Sequence, residues 1–386
     1  MNMITKQAVF ERYLKEYLKG GKKEKGRILS AVCDVTELHR KSAIRKFGNL
    51  QMKDVSLPEE RGRSVIYTPD TIAALKAVWE TGSEICGELL HPLIEEYVEI
   101  LQRDKMWHHS AEATRKLLFM SEATVKRKVG KFMKARTPRK GISTTKPSHI
   151  KSIIPIFTGP WEGKPPGYGQ IDTVVHCGSR LSGNMAYSVN YTDVSTLWVV
   201  LGAQFNKGQA ATRESLECMR KKVPFCIHGM HPDTGSEFVN FHLKDWCEKE
   251  NIELTRSRPN HKNDNAYVEQ KNGHVIRRFL GYSRIDTLEA ISAMNELYDV
   301  LEVYLNHFVG SRKCVEKVRI GSRYRKKYDK AKPAYRRVLE SSYVDEDVKE
   351  KLRKEHTKLN PLLLKKDVDR LVSKVFKLQR EYGNNI

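Results

Sequence analysis

Apolar positions in the first fifty residues recur at helical spacing. Over 22–33 they fall at Ile28, Leu29 and Val32, and a turn at Asp34-Val35-Thr36 is expected to follow. Thr36, whose hydroxyl can accept a free first-turn amide, is the expected N-cap of a second helix over 36–47. There Leu38 and Ile44 should face inward, and His39, Arg40, Lys41 and Arg45 outward. Two short helices, a tight turn and a basic second helix predict a helix-turn-helix, although a helical hairpin with a solvated basic face has the same pattern. Residues 51–100, with Pro58 and the acids Glu95, Glu96 and Glu99, read as a connector followed by packing helices. The first pattern then recurs at 110–134. One helix runs from Ser110 to Leu118. A second is capped by Ser121, has Glu122 in its first turn, and carries Lys126, Arg127, Lys128 and Lys131.

From 135 to 166 the chain is rich in Lys, Arg, Thr, Gly and Pro and reads as an extended basic linker. Strand patterns follow at Tyr168–Val175, Met185–Asp193 and Leu197–Leu201, then a helix over Gln209–Lys222 and a short strand at Phe225–His228. A helix through Leu243–Cys247, a strand at Ile252–Thr255 and a long helix over Ala266–Phe279 complete a mixed α/β domain. Further on, a basic run from Arg312 to Arg337 is interleaved with Tyr324, Tyr328 and Tyr335 and suits contact with a phosphate backbone, Arg325, Lys326 and Lys327 foremost. The last helix, about 361–381, carries Leu364, Val368, Leu371, Val375 and Leu378 as a short heptad-like stripe. Such a stripe either packs on its own chain or pairs protomers in a DNA-bound assembly.

Charge sharpens this division. The chain of 386 residues carries a formal net charge of +22. Residues 1–150 hold 29 basic and 18 acidic residues, 151–300 hold 17 of each, and 301–386 hold 23 and 12. Basic flanks around a neutral centre predict a polyanionic partner, nucleic acid ahead of a membrane surface. Seven scattered cysteines without a Cys-x-x-Cys pair predict reduced thiols rather than a disulfide framework or zinc ribbon. No apolar run approaches a membrane span, and the opening residues have no apolar stretch of the secretory type, so a cytoplasmic, nucleoid-associated protein is expected.

Three carboxylates stand out by position. Asp172 lies inside the first central strand, where a charge is costly without a partner such as a metal. Asp233 sits in His231-Pro232-Asp233-Thr234-Gly235-Ser236-Glu237-Phe238, just past the 225–228 strand. Glu269 sits in Ala266-Tyr267-Val268-Glu269-Gln270-Lys271-Asn272, and 35 residues separate it from Asp233. Carboxylates from a strand, a strand end and a helix can converge on hard cations that keep open positions for phosphate.

The first-strand Asp, the Asp-x-Gly-x-x-Phe, the Val-Glu-x-x-Asn and the 35-residue interval resemble the DDE transposases with a retroviral-integrase-type catalytic core. Ser257-Arg258-Pro259, Asn263-Asp264-Asn265, Gly281-Tyr282, Ser121-Glu122-Ala123-Thr124, Ser143-Thr144-Thr145-Lys146-Pro147 and Tyr328-Asp329-Lys330-Ala331-Lys332 are similar, more narrowly, to bacterial insertion-sequence transposases of the ISNCY type. The resemblance implies an RNase H-like fold and a site of Asp172, Asp233 and Glu269 holding two Mg²⁺ (or Mn²⁺) ions. One ion would activate the attacking water or 3′-hydroxyl and the other would stabilise the leaving oxygen. It implies DNA as partner, both the element's terminal inverted repeats and the target, and a homo-oligomer on DNA. Arg40, Lys41, Arg45, Lys126 and Arg127 are the expected end-binding residues, with Lys271 and Asn272 near the scissile phosphate.

The chain departs from that pattern in two places. His108-His109 lack the Cys pair of a zinc module, and Thr234 follows Asp233 where many relatives carry Asn. Asp193, Glu237, Asp264 and His231 read as turn, surface or loop residues before they read as site residues.

The expected plan is a multidomain α and α/β protein. It comprises a helix-turn-helix domain over 1–58, a second helical domain over 59–134, the linker 135–164, an RNase H-like mixed α/β core over 165–300, and a basic DNA-binding and assembly region over 301–386 that ends in a helix. Rival readings are a DNA-binding regulator that retains the core, and a host RNase H-like nuclease.

Overall fold

The structure, a computed structural model, describes residues 3–52, 66–133, 154–157, 161, 163–233, 238, 241–258, 265–320 and 323–383. Contacts divide the chain into two compact units, 1–65 and 66–386. The expected domain boundary at 58/59 and most of the basic linker lie outside the described residues.

The first unit is three helices, α1 (Met3–Lys19), α2 (Lys22–Thr36) and α3 (Arg40–Gln51), around a core of Phe10, Leu29, Val32, Ala43 and Phe47. Phe47 stacks on Tyr17 at 4.1 Å and meets Phe10 edge-on at 4.9 Å. Two expectations are corrected here. Thr36 ends α2 and does not cap α3, because its hydroxyl donates back to the Val32 carbonyl at 2.6 Å. The chain then reverses at Glu37, in the left-handed region at φ 59°, and His39 caps α3 by accepting the Lys41 amide at 3.3 Å. Ile44 is 44% exposed, because Ala43 and Phe47, one turn apart, form the inward stripe.

The second unit opens with α4 (Pro69–Thr81), α5 (Gly87–Leu90), a 3₁₀ turn at His91–Leu93, α6 (Ile94–Arg103), α7 (Ala111–Leu118) and α8 (Glu122–Met133). Ser110 and Ser121 accept the amides of Ala113 and Thr124 at 3.1 and 3.4 Å, as capping serines do. His109 pairs with Asp70 at 3.1 Å.

The central sheet has the order β3-β2-β1-β4-β5, from β1 (Tyr168–Val175), β2 (Tyr187–Asp193), β3 (Val199–Gln204), β4 (Gly229–Pro232) and β5 (Glu253–Leu254). The first three strands are antiparallel, and β4 and β5 run parallel to β1. The strand expected at 225–228 is therefore displaced to 229–232. The amides of His228 and Gly229 both donate to the Gly167 carbonyl, so parallel pairing with β1 begins only at Tyr168↔Gly229. Helices α9 (Gln209–Arg220) and α10 (Phe241–Lys249) precede α11 (Ala266–Lys271), which runs through a π-helical segment (Asn272–Arg277) into α12 (Arg278–Leu280).

Helix α13 (Leu288–Phe308) supplies the missing partner of edge strand β3. Asn295 and Asn306 each accept from and donate to one β3 residue, Ala203 and Val199 respectively, at 2.8–3.0 Å. Glu302 accepts the Leu201 amide at 2.7 Å. These side chains satisfy the backbone groups that an uncovered edge would leave open. Burial pushes the Glu302 carboxyl up to about 7 against the pull of Lys222.

The basic run beyond α13 contains an antiparallel hairpin that the sequence reading had not resolved: β6 (Cys314–Ile320) and β7 (Arg323–Tyr328). Three helices close the chain, α14 (Ala334–Glu340), α15 (Glu346–His356) and α16 (Pro361–Tyr382). The stripe on α16 packs within the chain: Val368, Leu371 and Val375 are buried in one core with α4–α8, α13 and the sheet residues Val174 and Leu201. No helix among the described residues is long and apolar enough to cross a membrane.

Candidate active site

Asp172 is the fifth residue of β1 and pairs across to Asn190 on β2. On its other side β4 runs parallel, with Ile171 opposite Pro232, so the chain leaves the sheet at Asp233 beside Asp172. Glu269 lies in the first turn of α11. Two amide side chains hold that helix against the sheet on either side of Glu269. Gln170 is fully buried and lies on the same face of β1 as Asp172. Its Oε1 accepts the amides of Tyr267 and Val268 at 2.9 and 3.2 Å, satisfying free first-turn donors. Asn272 Nδ2 donates to Asp172 Oδ2 at 2.6 Å, and its Oδ1 accepts from Asn190 Nδ2 at 2.9 Å. The π-helical turn begins at Asn272, and such insertions recur at functional sites.

The electrostatics follow from this convergence. Burial pushes the Asp172 carboxyl up to about 8, helped by the negative charges of Asp233 and Glu269. The hydrogen bonds from the Thr173 amide and Asn272 pull the other way. Lys271, half-buried, is pushed down to about 8 by its burial and by the nearby Arg337 guanidinium. Among the described residues, no group of three His, Cys, Asp or Glu side chains already has the arrangement of a metal centre.

Of the other acids, Asp193 is a buried turn clamp, accepting from the amides of Gly167, Ser195 and Thr196 and from the Thr196 hydroxyl. His231 sits within β4, bonded to Thr255 at 2.8 Å and edge-on to Trp161. Thr234, Glu237 and Asp264 lie outside the described residues.

The expected DNA-binding residues divide into separate groups. Arg40, Lys41 and Arg45 are exposed on α3. Arg127 is exposed on α8, whereas Lys126 is ion-paired with Glu88. Arg325, Lys326 and Lys327 are exposed on β7. Asn272 is at the acidic site as the partner of Asp172, whereas Lys271, half-buried on α11, lies near Arg337. Gln170 and Asn190 were missed from sequence. Their only signal was an amide two residues before the strand Asp and another on the neighbouring strand.

No protein-family model matches the chain. Over 333 residues it is 34% identical to uncharacterized protein y4rM of Sinorhizobium fredii (strain NBRC 101917 / NGR234), an alignment that covers 85% of this chain and 93% of that one. Solved structures similar to part of it include a chain of the simian T-cell lymphotropic virus intasome with PP2A regulatory subunit B56 gamma. That match has TM-score 0.32 and 16% identity, and covers 42% of this chain and 55% of that one. The HTLV-2 integrase catalytic core domain in complex with magnesium matches at TM-score 0.30 and 14% identity, over 39% of this chain and 93% of that one. Superpositions this loose carry no functional conclusion.

Proposed function

The chain belongs to the family of the Sinorhizobium fredii protein y4rM, and we propose that it is a transposase- or integrase-type polynucleotidyl transferase. It would cut a phosphodiester at the end of a mobile DNA segment and join the freed 3′ end to target DNA. One observation carries the reading: the acids of the DD(35)E-like pattern come from adjoining elements, Asp172 from β1, Asp233 from the end of the neighbouring strand β4, and Glu269 from α11, whose following residue Asn272 donates to Asp172.

Three carboxylates that repel one another fit hard divalent cations in donor chemistry, and these side chains would hold Mg²⁺ or Mn²⁺. When bound, such ions supply positive charge to the phosphate as oxygens exchange on it. The chain's own side chains do the rest. Asn272 orients the Asp172 carboxylate through Oδ2. Gln170 sets Glu269 against β1 by holding the two amides before it. Lys271 offers a cation to the DNA backbone. Helix α3 binds element ends, the basic residues of β7 hold flanking DNA, and two ends require two chains on the DNA.

Cleavage and strand transfer of an end-bearing duplex test the proposal. Asp172→Asn, Asp233→Asn and Glu269→Gln should each lower both steps by about a thousandfold or more and leave DNA affinity nearly unchanged. Near-normal strand transfer by any one variant removes that residue from the site.

The pH dependence of stability supplies an independent check. The folded-state pKa of Asp172 lies above its unfolded value. Its contribution is therefore fully present below about pH 4 and is lost as pH rises through about 8. Without divalent ions, Asp172→Asn should outlast the parent chain in urea by about 1–3 kcal/mol at pH 8.5. This is less than the full shift because water reaches part of the carboxyl. The gap should close toward pH 4 and narrow when Mg²⁺ is added; a gap independent of pH would contradict the raised Asp172 carboxyl.

A further inference from the structure

Among the described residues, the hairpin β6–β7 forms a sheet of its own, pairing with no other strand. Its described side chains from Val315 to Tyr328 are exposed, including Val318 at 37% and Ile320 at 57%. Isolated two-stranded ribbons are marginal in water, and branched apolar side chains on one with no core beneath them do nothing for folding. The register puts Val318 opposite Arg325 and Ile320 opposite Arg323, so these four share one face. Among its exposed charges, Arg319, Arg323, Arg325, Lys326 and Lys327 stand against Glu316 alone.

The root of the ribbon is rigid. The Lys313 amide donates to Asp329 Oδ1 at 2.7 Å, the Asp329 carboxylate pairs with buried Arg337, and Arg337 also donates to the Ser311 carbonyl at 2.8 Å. Lys313 Nζ ties the root to the Ser195 carbonyl beyond β2, at 3.1 Å. The ribbon therefore springs from a root fastened to the loop after β2.

We infer that this ribbon inserts into the major groove of duplex DNA and reads base edges with Val318, Ile320, Arg323 and Arg325. A B-DNA major groove is about 12 Å wide and admits a two-stranded ribbon. Arginines there bond guanine O6 and N7, and apolar side chains meet the thymine methyl. Charge complementarity selects the occupant: five bases against one acid fit a polyanion. Lys326, on the opposite face, is left for phosphates. The inference rests on the DNA-processing reading for which duplex is bound, but its test needs no phosphodiester chemistry.

The test uses the full chain carrying Asp172→Asn, without divalent ions, on duplexes of element-end sequence. Binding should protect guanine N7 from methylation. Arg323→Ala with Arg325→Ala should abolish that protection and weaken duplex binding at least tenfold, with an unchanged melting temperature because the side chains are exposed. Replacing thymine by uracil should weaken binding by the parent chain several-fold and have no effect on Val318→Ser with Ile320→Ser. Lys326→Ala should weaken binding by about twofold on every sequence.

Four results overturn the inference. These are no duplex binding at all, N7 protection that survives the arginine changes, equal losses on single-stranded and duplex DNA, and undisturbed DNA binding with loss of self-association. The third would mark a phosphate tether and the fourth a contact between copies. A chain that fails to cut DNA but gives the expected footprints would defeat the catalytic proposal and leave this one standing.

Discussion

Two stretches of this chain follow the same sequence rule, a short helix, a tight turn and a basic second helix, and the fold treats them differently. In the first unit, α3 buries only Ala43 and Phe47 in a small core and leaves Lys41 and Arg45 exposed. In the second unit, α8 is fastened on several sides. Val125 and Val129 enter the main core, and Gly87 comes so close that a Cβ there would stand 2.7 Å from Lys126 Cα. Lys126 pairs with Glu88, and Arg312 ties Glu88 to Glu122. A count of basic residues does not distinguish the two helices. What separates them is whether another element brings a carboxylate and a flat backbone surface into contact, and Glu88 belongs to the acidic stretch that reads as packing helices. On the proposed function, end recognition therefore falls to α3 ahead of α8.

The largest effect should come from Phe47→Ala. Phe47 is fully buried in a core of five side chains and contacts the rings of Phe10 and Tyr17. A loss of about 3–5 kcal/mol is expected for such a truncation. So small a core should not survive it, while residues 66–386 keep their own melting transition. Calorimetry showing one transition in the parent chain and a common shift in the variant would break the contrast between a private core and a shared one.

A matched pair of glycines sharpens it next. Gly87→Val forces a side chain into the Lys126 backbone and should cost about 2–3 kcal/mol, because backbone cannot give way as a flexible side chain can. Gly48→Ala on α3 meets nothing within 4 Å and should stabilise its helix by about 0.5–1 kcal/mol. Equal effects at the two sites would mean that α8 is as free as α3. In DNA binding the ranking inverts. Lys41→Ala with Arg45→Ala should weaken affinity for element ends about tenfold and reduce the salt slope by about two.

How much of this could be read beforehand depends on what each element answers to. Strand β1 was legible to the residue because its pattern matches the strand period, and Asp172 and Glu269 were singled out by their motif context alone. Strand β4 was misplaced by four residues. Phe225–His228 look more strand-like than Gly229-Met230-His231-Pro232, but the register with β1, started at the Gly167 carbonyl, decides. Thr36 could serve as a cap or as an i−4 back-bonder, and only the turn at Glu37 chooses between them. The hairpin was masked by charge: Val315, Val318 and Ile320 point to strand, but the lysines and arginines around them drew the reading toward a featureless basic run. The amides Gln170 and Asn190 carry no charge and break no pattern, and Asn272, marked by its motif, was expected on DNA; that they bind Asp172 and α11 appears only once three elements meet.

The smallest expected effect is the most direct test of the contrast. Lys126 reads, in sequence, as a DNA-binding residue of α8 alongside Arg127. Its ammonium is instead engaged by Glu88, and that hydrogen bond holds the Glu88 carboxyl below its ordinary value. Lys126→Ala leaves Glu88 paired with Arg312, at 2.7 Å, so no carboxylate is stranded and the fold has little reason to change. An ammonium already neutralised by a carboxylate releases few counterions when DNA arrives, so affinity should fall less than twofold, with an unaltered salt slope. Glu88→Gln should then act in the opposite direction, freeing Lys126 and modestly tightening binding in low salt. A tenfold loss for Lys126→Ala, with the slope reduced by about one, would mean that DNA displaces Glu88 and that α8 is a DNA-contacting helix after all. The two basic helices would then differ in how their lysines are stored before binding, not in what they bind.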